Sequence, residues 1–210
     1  MTIHSWLMYL TLVLVATATP GPAVLFIMTN ASMHGWRKAV FAALGNIAGL
    51  LCLGIIAITG LGTILKTSEM IFNLIRYAGA AYLVYLGLRM FFQEGVDFTK
   101  MNHQAPAPDA SSGKIFLQAL GVALSNPKAI IFLTALFPQF ISIEHALIPQ
   151  FTMLIVTLMS FSFVFLMSYA LLAHNAKAWL MQNNRVRAVN CTSGSIFIGF
   201  GILLATSSNR

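Results

Sequence analysis

Six stretches of this sequence are apolar for about as long as a helix needs to cross a bilayer: Trp6–Met28, Ala39–Leu65, Ile71–Phe92, Ile115–Phe137 (running on toward Ile141), Gln150–Ala173 and Asn190–Thr206. A crossing takes ~20 predominantly apolar residues. No water inside hydrocarbon satisfies a bare N–H or C=O, so each run must make its backbone hydrogen bonds within itself, as a helix. Only 8% of the chain is charged and 58% is hydrophobic, where a soluble domain carries about 25% charged residues. The expected fold is an all-α membrane protein with six transmembrane helices. The sixth run is the shortest and opens on polar residues. No connection is long enough for a second domain, so residues 1–210 form a single integral membrane domain.

The net charge of +7 and pI near 9.8 do not point to nucleic acid, because the basic residues are scattered through the connections. There they set orientation, since cytoplasmic loops carry the excess of Lys and Arg. The first, third and fifth connections (Thr29–Lys38, Gln93–Lys114 and His174–Val189) hold Arg37, Lys38, Lys100, Lys114, Lys177, Arg185 and Arg187. The other two connections, Lys66–Met70 and Ser142–Pro149, together with both termini, hold only Lys66 and Arg210. Seven against two places the odd connections in the cytoplasm and both termini outside. Ala16-Thr17-Ala18 has the look of a signal-peptidase site. No Lys or Arg precedes it, and the apolar run continues past it, so the first run reads as a retained span.

Two of the runs are interrupted at depth. The first carries Thr19-Pro20-Gly21-Pro22 and the fourth carries Ser125-Asn126-Pro127-Lys128. Proline lacks an N–H and leaves a carbonyl without its helical donor, and a lysine at the centre of a membrane helix costs ~2.5–3.5 kcal/mol on insertion scales. A plain anchor has no use for these features. A lone proline in a membrane helix is usually a kink. Here Pro20 lies 14 residues past Trp6 and Pro127 lies 12 past Ile115, so the two breaks fall at matching depths.

That match exposes an internal repeat. The Pro- and Ala-rich linker at 93–114 divides the runs three and three, giving repeat 1 over about 1–92 and repeat 2 over about 115–210. Three spans reverse the chain's direction, so the halves are inverted relative to each other, each with a broken first helix. Interrupted helices in matching positions of inverted repeats point to a binding site near the bilayer midplane.

Thr19-Pro20 and Asn126-Pro127 each read as an N-cap followed by proline at the first helical position. Two half-helix N-termini would then face the membrane interior with free amides and partial positive charge. Lys128 adds a full charge, and Gly21 permits close backbone approach. An anion such as a carboxylate suits this arrangement. The substrate-binding candidates are therefore Thr19, Pro20, Gly21, Pro22, Asn126, Pro127 and Lys128. Asn46 joins them, although its place between Gly45 and Gly49 is the small-xxx-small spacing of helix packing. Gln118, Thr157, Ser160 and Ser162 read as interhelical hydrogen-bond partners, Tyr77, Tyr82 and Tyr85 as an interfacial or packing set, and Cys52 and Cys191 as small buried hydrophobes.

Three blocks, Thr19-Pro20-Gly21-Pro22, Tyr77 through Gly87 (YAGAAYLVYLG), and Asn126-Pro127-Lys128 continuing into Phe132 through Phe140 (FLTALFPQF), resemble the LysE/RhtB amino-acid exporters. The resemblance covers nearly the whole chain. It implies a bacterial inner-membrane exporter of amino acids or close derivatives such as threonine, homoserine, homoserine lactone or leucine, driven by the proton-motive force. In an inner membrane, the termini that the charge bias places outside are periplasmic, and a homo-oligomer is possible. Pro20, Gly21, Pro22, Asn126, Pro127 and Lys128 match the family's central residues, and Gly45 and Gly49 its glycine-bearing second span.

All five acids (Glu69, Glu94, Asp97, Asp109 and Glu144) fall in connections, so no carboxylate is placed at depth to carry a proton. Either Lys128 titrates, or coupling rests on the substrate's charge and the membrane potential. Two other classes remain. A membrane thiol-redox carrier shares the inverted three-plus-three plan but wants paired cysteines at the breaks. An intramembrane enzyme needs a nucleophile–base pair or metal ligands at depth, and His4, His34, His103, His145 and His174 all lie at or outside run ends. No enzyme activity, cofactor or metal is expected.

Overall fold

The structure is a computed structural model that describes residues 3–67, 69–92, 110–142, 145–175 and 183–206. The first apolar run is carried by α1 (Ile3–Ala18) and α2 (Pro22–His34), the second by α3 (Trp36–Thr67) and the third by α4 (Glu69–Phe92). The fourth is divided among α5 (Ser112–Leu124), a short α6 (Pro127–Ile131), a π-helical turn at Phe132–Leu136 and a 3-10 turn at Phe137–Phe140. The last two lie in α7 (Leu147–Asn175) and α8 (Asn183–Thr206). Among the described residues there is no strand.

Trp36–Gly60 of α3 and Leu147–Ala173 of α7 are each long and apolar enough to cross a membrane. So are two broken spans, α1 with α2, bent by 48°, and α5 with Pro127–Phe140, bent by 56°. The chain is a multi-pass membrane protein.

The helices outrun the apolar runs. The connection expected at Thr29–Lys38 is helical except for Gly35. Polar residues there do not break α2, because Thr29 Oγ1 and Asn30 Nδ2 donate back to the Leu25 and Phe26 carbonyls of their own helix, each at 2.9 Å. Gly35 ends α2 with φ of 83°, a left-handed turn that side chains disfavour, and its N–H closes on the Ala31 carbonyl at 3.0 Å. The described residues of the connection expected at Lys66–Met70 are likewise helical, and residue 68 lies outside the described residues. The linker residues 93–109 and the connection residues 176–182 also lie outside them.

Helix pairs meet at glycines. On α3, a Cβ at Gly45 would collide with the Phe116 carbonyl oxygen of α5, and one at Gly49 would stand 2.5 Å from Ala123 Cβ. A Cβ at Gly87 of α4 would lie 2.6 Å from the Gly194 carbonyl oxygen of α8, and one at Gly201 would lie 2.8 Å from that of Ala80. Small residues let backbones approach in this way where lipid offers no hydrophobic drive to association.

Two apolar clusters fill the interior. One gathers Tyr9, Leu12 and Val13 of α1 with Leu133, Phe137, Leu154 and Phe197. The other gathers Ile27 and Ala31 of α2 with Ala39 and Ala43 of α3, Ile115 of α5 and Ala170 of α7. Each broken span contributes one half to each cluster, so the breaks fall between them. The buried polar residues Thr19, Asn46, Asn126 and Ser162 belong to neither cluster.

Candidate functional site

Pro20 and Pro22 remove the N–H groups that would serve the carbonyls four residues earlier, Ala16 and Ala18. Two side chains replace them. The Lys128 ammonium donates to Ala16 O at 2.9 Å, and the Tyr169 hydroxyl donates to Ala18 O at 2.6 Å. Lys128 Nζ also donates to Thr19 O at 2.9 Å. The end of α1, the negative end of its dipole, is thus held by a cation from α6 and a phenol from α7.

The expectation that Thr19 caps α2 is corrected. Its hydroxyl turns back to Val15 O at 2.6 Å and its N–H bonds the same carbonyl at 3.1 Å, so Thr19 closes α1. The N-cap of α2 is Gly21, in extended backbone (φ −156°, ψ −173°), with Pro22 at the first helical position. A glycine cap leaves the amides of that first turn without a side-chain acceptor.

At the second break the capping reading holds. Asn126 adopts an extended conformation, and its Oδ1 accepts from Lys128 N–H at 3.1 Å. The carbonyl that Pro127 strips of its donor, Ala123 O, is taken by Asn126 N–H at 3.2 Å. This break therefore closes on itself, and the side chain of Lys128 is free to serve the other one. The π turn that follows displaces one backbone hydrogen bond, a distortion that recurs at functional sites.

A cavity of about 60 Å³ lies between the breaks, room for a few water molecules. Its polar wall is Thr17, Asn46, Asn126, Lys128 and Ser162, and Ala23 and Val24 bring in the first turn of α2. Asn46 Nδ2 donates to Ser162 Oγ at 3.4 Å, joining α3 to α7. Gly21 also lines the cavity, and a Cβ there would stand 3.3 Å from Lys128 Nζ. On one side Phe132 forms the wall. Its ring lies 6.2 Å from that of Tyr9, which packs 5.2 Å from Phe140 and donates to Leu154 O at 2.9 Å.

Of the residues singled out in the sequence, Gly21, Asn46, Asn126 and Lys128 meet at this cavity. Thr19, Pro20, Pro22 and Pro127 do not line it; they shape the backbone around it. Among the expected interhelical partners, Ser162 makes such a bond, whereas Thr157 bonds back to Met153 O at 2.7 Å and Gln118 Oε1 is buried without a partner. Cys52 is exposed on α3 and Cys191 half-buried on α8, both free and neither at the cavity. The expectation that both are buried fails because a lipid-facing position accepts a small apolar thiol as readily as a core does. Tyr169 carried no signal in the sequence, where a tyrosine near the end of an apolar run reads as an interface residue. Among the described residues no three His, Cys, Asp or Glu side chains come together as a metal site.

The sequence pattern of the LysE type translocators matches residues 14–208, a stretch that contains both breaks, Lys128 and Tyr169. The chain is 35% identical to a homoserine/homoserine lactone efflux protein of Salmonella typhimurium, over 99% of this chain and 98% of that one. It is 33% identical to an uncharacterized membrane protein of Vibrio cholerae, over 99% of both. A leucine efflux protein of Klebsiella pneumoniae is 32% identical over 96% of this chain and 95% of its own length. No solved structure matches. With the pattern running through both breaks and relatives matched end to end, the chain belongs to the LysE type translocator family.

Proposed function

We propose that this protein exports an amino acid or a close derivative across the bacterial inner membrane, binding it in the cavity between the two helix breaks. The observation that carries this reading is the convergence of both breaks on one cation. Lys128 starts at the second break, ends on the carbonyls of the first, and borders a cavity shared by α2, α3, α6 and α7. Lys128 and the uncapped first turn of α2 hold the carboxyl end of the substrate, with Asn46 and Ser162 along its flank. Six spans in two inverted repeats, with both termini periplasmic, alternate around this fixed site, and the proton-motive force drives export.

The names of the relatives support the substrate class. Homoserine, its lactone and leucine share an α-ammonium beside a carbonyl carbon. The lactone has no carboxylate, so a site serving this set must offer donors to a carbonyl oxygen and acceptors to an amine. Lys128 and the α2 amides are such donors.

Expression in cells challenged with toxic levels of threonine, homoserine, homoserine lactone and leucine tests the reading. Protection with matching efflux from reconstituted vesicles is expected for at least one of them. Protection against none, with the protein present in the membrane, would refute it.

A further inference from the structure

The ammonium of Lys128 sits where an amine substrate would be expected to sit. It holds two backbone acceptors, Ala16 O and Thr19 O, each at 2.9 Å, at the negative end of α1. Ala16 and Lys128 both line the cavity, so the Ala16 side of this carbonyl pair borders the space where a ligand would lie, with Thr19 O just behind it on the same ammonium. The backbone cannot close the seat by itself. Position 20 is proline and has no N–H to return to Ala16 O, so a donor must come from elsewhere, and here it is an ammonium.

We propose that the carbonyl pair of Ala16 and Thr19 is the binding seat for the substrate's α-ammonium, and that Lys128 occupies it only until substrate arrives. This rests on the reading of the cavity as an amino-acid site. The carboxyl end of the substrate draws the Lys128 ammonium off the carbonyls, and the α-ammonium takes its place. One cation replaces another at the seat, and Lys128 exchanges two carbonyl acceptors for the carboxyl oxygens. In either state each ammonium at the seat keeps hydrogen-bond acceptors. A ligand with a carboxyl group but no amine would pull Lys128 away and leave Ala16 O and Thr19 O bare, a penalty hydrocarbon makes severe. The seat therefore selects compounds with a free α-amino group.

The test uses purified full-length protein and its thermal midpoint with five probes: L-leucine, L-homoserine, the N-acetyl form of each, and n-butylammonium, with butyrate as control. The wild type should bind a free amino acid at least tenfold more tightly than its N-acetyl form, and should ignore n-butylammonium because Lys128 fills the seat. Lys128→Ala vacates the seat, so n-butylammonium should stabilise that variant while butyrate does not. Equal binding of free and N-acetylated amino acid by the wild type would overturn the proposal, and this arm needs no variant to fold. A Lys128→Ala protein indifferent to n-butylammonium would overturn it as well. If the wild type bound none of the amino acids while n-butylammonium stabilised Lys128→Ala, the seat would stand and the export reading would fall.

Discussion

The Lys128 ammonium lies 2.9 Å from the carbonyl oxygen of Ala16, the acceptor that Pro20 leaves without its helical donor. The two breaks are thus chemically unequal despite their matched depths. At Pro127 the freed carbonyl is met locally, by Asn126 N–H. At Pro20 and Pro22 the freed carbonyls are met only from other helices, by Lys128 and Tyr169. The first break is therefore the one whose geometry depends on tertiary contacts, and the one a ligand can compete for.

Tyr169→Phe removes the donor to Ala18 O and nothing else. An orphaned buried acceptor costs roughly 1–3 kcal/mol, so the midpoint of unfolding in mild detergent should fall accordingly. Export should fall with it, since the end of α1 loses one of its two ties. An unchanged midpoint would mean that the bond contributes nothing in the folded protein.

Gly49→Ala places a methyl 2.5 Å from Ala123 Cβ, and Gly45→Ala drives one into the Phe116 carbonyl. Overpacking costs typically ~1–3 kcal/mol. Gly45→Ala should be the worse of the two, because it meets backbone, which cannot rotate away. Adding Ala123→Gly should restore much of the stability lost in Gly49→Ala and none of that lost in Gly45→Ala. Equal rescue of both would contradict the α3–α5 contact.

How much of this was legible in the sequence follows from which rules the residues break. Proline and lysine inside apolar runs violate what hydrocarbon permits, so both breaks and Lys128 stand out unaided. Asn126 could be read as a cap because its amide carbonyl has one good local use before a proline. Thr19 was open to misreading, since a threonine hydroxyl serves the preceding turn as readily as the following one. Gly21 caps without a side chain and leaves no sign of it. Tyr169 and the Asn46–Ser162 bond depend on how α7 lies against α1 and α3, which no local pattern encodes. The destination of Lys128, the first break rather than its own, is long-range in the same sense.

The topology is predicted by the seven basic residues of the odd connections against two in the even connections and termini. Reporters fused after Lys38, within 93–114 and within 176–182 should report cytoplasm. Fusions at residue 68 and at the C-terminus should report periplasm. A cytoplasmic C-terminus would remove a span, and the sixth, carried by α8, is the one it would remove.

The last prediction separates two roles that Lys128 combines. Lys128→Met keeps the stem and deletes the ammonium, leaving Ala16 O and Thr19 O without their shared donor. The loss of two hydrogen bonds to a charged group outweighs relief of its burial when the acceptors stay buried, so stability should drop by roughly 1–3 kcal/mol. Pro20→Ala returns an N–H to the position that can serve Ala16 O. If Lys128 only caps α1, the double variant Pro20→Ala/Lys128→Met should recover export and the part of the stability lost at Ala16 O, Thr19 O staying without its donor. If its ammonium also handles substrate, the double variant should recover that part of the stability and remain inactive. Pro127→Ala is the control: Ala123 O already has a donor, so it should rescue neither. The measurements are unfolding midpoint and export per folded molecule in reconstituted vesicles, read as a double-mutant cycle. Restored export in the double variant would reduce Lys128 to a cap and remove it from the substrate site.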